Sequence, residues 1–163
     1  MSFRRMTPGG RRRPYRSSRT LEAARADVLA NLDDGTVCEC CGQFAKRYRR
    51  KLNSSMARIA IYLARNSSPG EWVHVKNFSD ISREVYQLGW WGFVEGKDYE
   101  GDEKRTAGLW RLTQAGRAFA TGTLRAVRRA VVYNKQVERL EGDEIDVREA
   151  LGAKFNYAEL MGR

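Results

Sequence analysis

Apolar positions return at helical intervals through Leu21, Ala24, Val28 and Leu32, with Thr20 placed to cap the first turn and Asp33-Asp34-Gly35 to end the last. A helix is predicted over 21–32. Gln43 to Leu52 reads as a second, basic amphipathic helix: Phe44, Tyr48 and Leu52 mark one face, and Lys46, Arg47, Arg49, Arg50 and Lys51 crowd the others. Asn53-Ser54 breaks that pattern and offers a new cap. The helix predicted over 55–66 carries the best core stripe in the chain, Met56, Ile59, Ala60 and Leu63, widened by Ile61 and Tyr62. Ser67-Ser68-Pro69-Gly70 is a loop by composition.

Trp72 to Val75 alternates as a short strand does. Ser79 or Asp80 can cap a helix bearing Ile81, Val85 and Leu88, with Gly89 and Gly92 bracketing its end around Trp90-Trp91. That tryptophan pair is expected to pack the helix end against a sheet, one ring partly exposed. Strands at 93–95 and 109–112 flank G-K-D-Y-E-G-D-E-K-R-T-A-G, a hairpin with a long charged tip. Thr113 caps a short helix that packs Phe119 and closes at Gly122.

Residues 124–140 are ambiguous by pattern, although Ala130–Tyr133, Asn134-Lys135 and Gln136–Leu140 fit a second hairpin. Asp146 with Glu149, and Asn156 with Glu159, have capping-box spacing and predict two short C-terminal helices. There is no internal repeat. The expected fold class is α+β, in four segments: an arm at 1–19, helices and a cysteine turn at 20–52, a domain at 53–122, and a hairpin with helices at 123–163.

Charge changes this picture at one end. Of a formal net charge of +10, seven come from arginines within residues 1–19, including Arg11, Arg12 and Arg13, and that arm has no acid. An Arg-, Gly- and Pro-rich arm cannot build a core, so it is expected to be disordered when free. The partner it suits is a polyanion, above all nucleic acid, whose phosphates release counterions when arginine neutralises them. A solubilising arm with no partner is the plainer alternative. The arm lacks the amphipathic periodicity of a transit peptide, no apolar signal segment follows it, and no apolar run approaches membrane-spanning length. The 42% of apolar residues is enough to bury a core.

All three cysteines lie in C-E-C-C-G-Q, positions 38–43. Odd-numbered, clustered cysteines without a secretory signal point to a reducing compartment, and to metal or free thiols. Cys38-x-x-Cys41-Gly42 has the spacing of a zinc knuckle, in which two thiolates bind one ion while the glycine lets the backbone fold beneath it. A structural zinc site takes four ligands. The chain's remaining donors are Cys40 and its one histidine, His74, giving Cys38, Cys40, Cys41 and His74 as a Cys3His set. Cys40 is the weakest member, because neighbouring side chains diverge.

Two other readings stay open: a site shared in a homodimer, each chain giving Cys38 and Cys41, and free cysteines with His74 an ordinary strand histidine. Zinc here would be structural, fixing the basic helix relative to the domain. No constellation suggests an open catalytic position, and the βαβ context of a redox C-x-x-C is missing.

The predicted order helix, strand, helix, hairpin, helix over 55–121 resembles the winged helix-turn-helix domains of MarR- and PadR-type bacterial regulators, in a degenerate form. S-R-E-V-Y-Q-L-G-W-W-G-F-V-E-G (82–96) looks like the family's recognition helix and first wing strand. G-L-W-R-L-T-Q-A-G-R-A-F-A-T-G (108–122) looks like the second wing strand and the run into the next helix. The resemblance implies that Ser82, Arg83, Tyr86 and Gln87 face outward, with Arg83 and Gln87 of the types that reach guanine and adenine edges. It places Lys104 and Arg105 on the wing. The same fold used for protein contacts, through Tyr86, Trp90 and the acidic wing, is the competing reading.

Across its length the chain also resembles a group of small basic proteins carried by bacteriophages and prophages. The residues that suggest it are the C-x-C-C-G-Q turn with K-R-Y-R-R-K-L-N, G-L-W-R-L-T-Q-A-G-R-A-F, and the closing F-N-Y-A-E-L. That group implies a bacterial cytoplasmic setting and no particular activity.

One histidine leaves no means for most acid–base or metallonuclease designs, and no phosphate-cradling glycine motif is present. Asp143, Glu144 and Asp146 read as a solvated turn before a Mg2+ site. An enzyme is not expected. The expected function is binding of nucleic acid, chiefly double-stranded DNA, in a phage or prophage regulatory or replication role. The arm and Lys46–Lys51 would supply phosphate affinity. The alternative is a non-enzymatic adaptor docking on a host or phage protein complex.

Overall fold

The computed structural model describes residues 20–74, 76, 84–99 and 102–162. The chain divides into two compact units, one ending at Arg47 and the other beginning at Tyr48. It is mixed α and β with antiparallel sheets throughout.

In the first unit, α1 (Leu21–Ala30) starts where Thr20 accepts from the Ala23 amide at 3.2 Å. The helix stops at Asn31, ahead of Leu32, and Gly35 takes the turn that follows at φ +90°. β1 (Thr36–Val37) and β2 (Phe44–Ala45) then form a two-stranded ladder with Val37 opposite Phe44.

The second unit opens with β3 (Tyr48–Lys51), followed by α2 (Ser54–Asn66), which Asn53 caps by accepting from Met56 N at 3.0 Å. The basic helix expected over 43–52 is therefore replaced by two strands. Phe44, Tyr48 and Leu52 recur every four residues, an interval that satisfies a two-residue period as well as a helical one. Pairing of β3 with a distant strand decides between them. α2 buries Met56, Ala57, Ile59, Ala60, Ile61 and Leu63, which makes it the centre of the core.

Around α2 lie β4 (Val73–His74), α3 (Val85–Leu88), a 3-10 turn at Gly89–Trp91, β5 (Val94–Tyr99), β6 (Asp102–Leu112) and α4 (Gln114–Ala120). Val75, Ile81 and the proposed caps Ser79 and Asp80 lie outside the described residues. The sheet runs β4-β6-β5. The expected long hairpin tip is instead mostly ladder, with Tyr99 opposite Asp102. Backbone bonds alone can hold two strands together, so the charged composition of that segment did not prevent pairing. Thr113 caps α4 by accepting from Gly116 N at 3.0 Å, and Phe119 stacks on Phe93 with ring centroids 4.8 Å apart. Gly116 sits so close to the Phe93 carbonyl that a Cβ would collide with it. Arg117 closes the end of α2 by donating to the carbonyls of Ala64 and Ser67, each at 2.9 Å.

The C-terminal segment is integral to this unit. β7 (Ala126–Tyr133) and β8 (Gln136–Ile145) form the second hairpin, turning through Asn134 and Lys135 at φ +47° and +65°. β3 adds to β7, giving the order β3-β7-β8. Trp91 is buried, and its Nε1 donates to the Val127 carbonyl at 2.6 Å, while Trp90 is only half-buried. α5 (Val147–Leu151) begins at a complete capping box between Asp146 and Glu149. α6 (Tyr157–Met161) is capped by Asn156, and Tyr157 donates its hydroxyl to the Ala120 carbonyl at 2.9 Å. No helix among the described residues is long and apolar enough to cross a membrane.

Candidate nucleic-acid interface

The register of β3-β7-β8 gathers charge that is scattered in the sequence. Arg49 lies opposite Val131 and Val131 opposite Arg139, while Lys51 lies opposite Arg129 and Arg129 opposite Glu141. Residues opposite one another share a face, and so do residues two apart along a strand. Two successive rungs on one face thus hold Arg49, Lys51, Arg129 and Arg139 with the single acid Glu141. Arg49 Nε donates to Glu141 Oε1 at 2.9 Å, and Arg139 reaches Glu141 Oε2 at 3.3 Å. The side chains of Arg49 and Arg139 are about half exposed, and Lys51 is exposed. Rungs on one face repeat at about 7 Å and strands at about 5 Å, so four cations crowd a patch about the size of a few nucleotides.

Arg50 points to the other side with Tyr48, its guanidinium 5.0 Å from the centre of the tyrosine ring. Lys46 and Arg47 belong to the first unit. Lys46 Nζ donates to the Asp34 carbonyl at 3.4 Å, and Arg47 pairs with Asp33 at 3.4 Å. The expected basic run is therefore not one continuous face.

On α3, Tyr86 is 52% exposed and meets Trp90 edge-on, with centroids 5.9 Å apart. Gln87 donates to the Tyr86 hydroxyl at 3.3 Å. Val85 and Leu88 are buried, as the core stripe requires. Arg83 and Ser82 lie outside the described residues, as do Arg11, Arg12 and Arg13. Lys104 and Arg105 fall on the part of β6 whose side chains lie outside the description. At the base of the hairpin Arg111 pairs with Glu95 at 2.7 Å and covers Trp72.

Sequence reasoning missed Arg129 and Arg139. The alternation of β7 could have placed Arg129 on the face opposite Ala130. Arg139 depends on a register shift between Val131 and Val132, which brings it opposite Val131 where an uninterrupted ladder would bring Glu138.

The cysteine turn joins β1 to β2. The Cys38 amide donates to the Gln43 carbonyl and the Gly42 amide to the Cys38 carbonyl, both at 2.8 Å, with Gly42 at φ +69°. All three cysteines are free thiols, and Cys41 is exposed. The backbone amides of Cys41 and Cys40 donate to the Cys38 sulfur and hold its thiol below the ordinary range. Burial, followed by the charge of Cys38, pushes the Cys40 thiol up. His74, on β4, accepts the Lys76 amide at Nδ1 at 3.1 Å. Among the described residues no group of three or more His, Cys, Asp or Glu is arranged to hold a metal ion. Asp146 serves as the cap of α5, accepting from Glu149 N at 2.8 Å.

Comparison with protein-family models, with curated proteins and with solved structures returned no match for this chain.

Proposed function

We propose that the chain is a non-enzymatic nucleic-acid-binding protein that grips double-stranded DNA chiefly through the phosphate backbone, in a phage or prophage regulatory or replication setting. The observation that carries this reading is the pair of rungs holding Arg49, Lys51, Arg129 and Arg139 with Glu141, Arg139 also lying 4.0 Å from the neighbouring Glu138. Clustered cations on a sheet are pre-positioned for phosphates, and the seven arginines of residues 1–19 would add to the affinity. The strand order β4-β6-β5, with α2 before it and α4 after it, is compatible with a degenerate winged helix. In that arrangement exposed Tyr86 and partly buried Gln87 occupy the recognition position.

The test is duplex-DNA affinity measured across a salt series. Affinity is expected to fall steeply with salt. Replacing Lys51, Arg129 and Arg139 with glutamine should flatten the log–log slope by about 0.9 for each phosphate that is no longer neutralised. Deleting residues 1–19 should flatten it further. Absence of binding at low salt, or an unchanged slope in the triple variant, would sink the reading. A second reading, an adaptor docking on a host or phage protein complex, is favoured by the exposed Tyr86 ring beside half-buried Trp90. It predicts no salt-dependent DNA affinity and loss of partner binding on Tyr86→Ala.

A further inference from the structure

Two thiols of the cysteine turn are organised more closely than their spacing alone requires. The hairpin closes over Cys38–Gln43 with two backbone bonds, and the amides of Cys40 and Cys41 turn inward onto the Cys38 sulfur. The Cys41 thiol, and less strongly the Cys40 thiol, lies within hydrogen-bonding reach of the same sulfur. Amide donors of this kind remain on a sulfur after a metal replaces its proton, and they orient it as outer hydrogen bonds do in metal sites. The space beside Gly42 is open, and Cys41 is exposed. Cys41 is thus open to solvent and Cys38 partly so, on the side from which a second pair of ligands would have to approach.

A thiophilic four-coordinate ion held by two thiolates still needs two ligands. Within the chain the remaining cysteine is Cys40 and the remaining imidazole is His74. Cys40 also reaches the Cys38 sulfur, but it is partly buried where Cys41 is exposed, and the three thiols are not arranged to hold an ion together. His74 accepts the Lys76 amide at Nδ1, so the ring proton sits on Nε2 and neither nitrogen has a lone pair to give. A metal-bound histidine does the reverse, donating its second N–H. The described residues hold no group of three His, Cys, Asp or Glu fit for a metal; outside them, residues 1–19 contain none of those types, and Asp80 and Glu100 are the only ones elsewhere.

We propose that Cys38 and Cys41 form half of a tetrathiolate zinc site completed by the same pair from a second copy of this chain. Each thiol that is protonated releases its proton to solvent as its sulfur binds, and no oxidation is involved. Zinc suits the site because it takes four thiolates in tetrahedral geometry without a redox change.

The experiment uses the full chain purified under reducing conditions, with metal measured by elemental mass spectrometry and mass by light scattering. The expected result is about half an equivalent of zinc per chain in a dimer, as a shared four-coordinate site requires. A chelator should remove the zinc and halve the mass, and added zinc alone should restore both. Cys38→Ser and Cys41→Ser should each abolish zinc and dimer, whereas His74→Ala and Cys40→Ser should retain them. Should the serine variants unfold, the chelation and re-addition cycle on the unaltered chain decides. One zinc per monomer, loss of zinc in His74→Ala, or a metal-free chain with a Cys38–Cys41 disulfide would each overturn the proposal. No nucleic acid enters any arm, so its failure is separate from failure of the DNA-binding reading.

Discussion

Arg49 and Glu141 stand 92 positions apart in sequence and meet on one sheet face, Arg49 Nε donating to Glu141 Oε1 at 2.9 Å. Glu141 is the one acid within the two basic rungs and is shared with Arg139. Glu141→Gln is expected to tighten duplex-DNA binding several-fold at low salt and to steepen the salt slope by up to about 0.9. Because both partners are partly exposed, the stability cost should stay below about 1 kcal/mol. A DNA titration and a denaturant melt measure the two effects, and weaker binding would count against the face.

The bond from Trp91 Nε1 to the Val127 carbonyl ties the turn after α3 to β7 at 2.6 Å. Trp91→Phe keeps most of the ring and orphans that carbonyl at a partly buried site. A loss of about 1–3 kcal/mol is expected in a urea melt.

Much of the secondary structure could be read locally. Thr20, Asn53, Thr113, Asp146 and Asn156 all cap the helices their positions predicted, because a cap bond closes within three residues. The stripe of α2 and the Asn134-Lys135 turn were legible for the same reason. The strand character of Tyr48–Lys51 was not, since it depends on Ala126–Tyr133 far along the chain. The candidate site divides similarly. Arg49 and Lys51 are visible in a basic run, but their neighbours Arg129 and Arg139 are set by pairing and by a bulge. The cysteine inventory was complete in the sequence, while the contact that occupies His74 Nδ1 is a fact of folded geometry.

Lys135 holds φ +65° in the hairpin turn, a region that costs a side-chain-bearing residue about 1 kcal/mol or more. Lys135→Gly should therefore stabilise the protein by about 0.5–1 kcal/mol, read as a rise in the denaturation midpoint. A fall would mean that the lysine side chain contributes more than its backbone strain removes.

Gly116 lets α4 approach the Phe93 carbonyl, and an added Cβ would also press on Leu112. Gly116→Ala should cost about 3 kcal/mol, at the upper end for overpacking, despite alanine's better helix propensity. Thermal unfolding of that variant would test it.

In the metal-free chain Cys38 should become a thiolate at lower pH than an ordinary cysteine, and Cys40 at higher pH. Alkylation follows the thiolate. As pH rises, labelling at Cys38 should therefore set in first and labelling at Cys40 after it, as peptide mass mapping would resolve. Coincident onsets would show that the amides of Cys40 and Cys41 do not hold the Cys38 sulfur in solution.

The pairing of β3 with β7 also sets an order of events during synthesis. Tyr48–Lys51 emerges from the ribosome roughly 80 residues before its partner strand, an interval of roughly 4–16 s at ordinary elongation rates. Through that interval the strand is an open edge, the kind of surface on which neighbouring chains aggregate. Two arginines and a lysine in four residues repel such pairing. The charge on this strand thus also keeps the nascent chain apart from its neighbours until the last hairpin arrives.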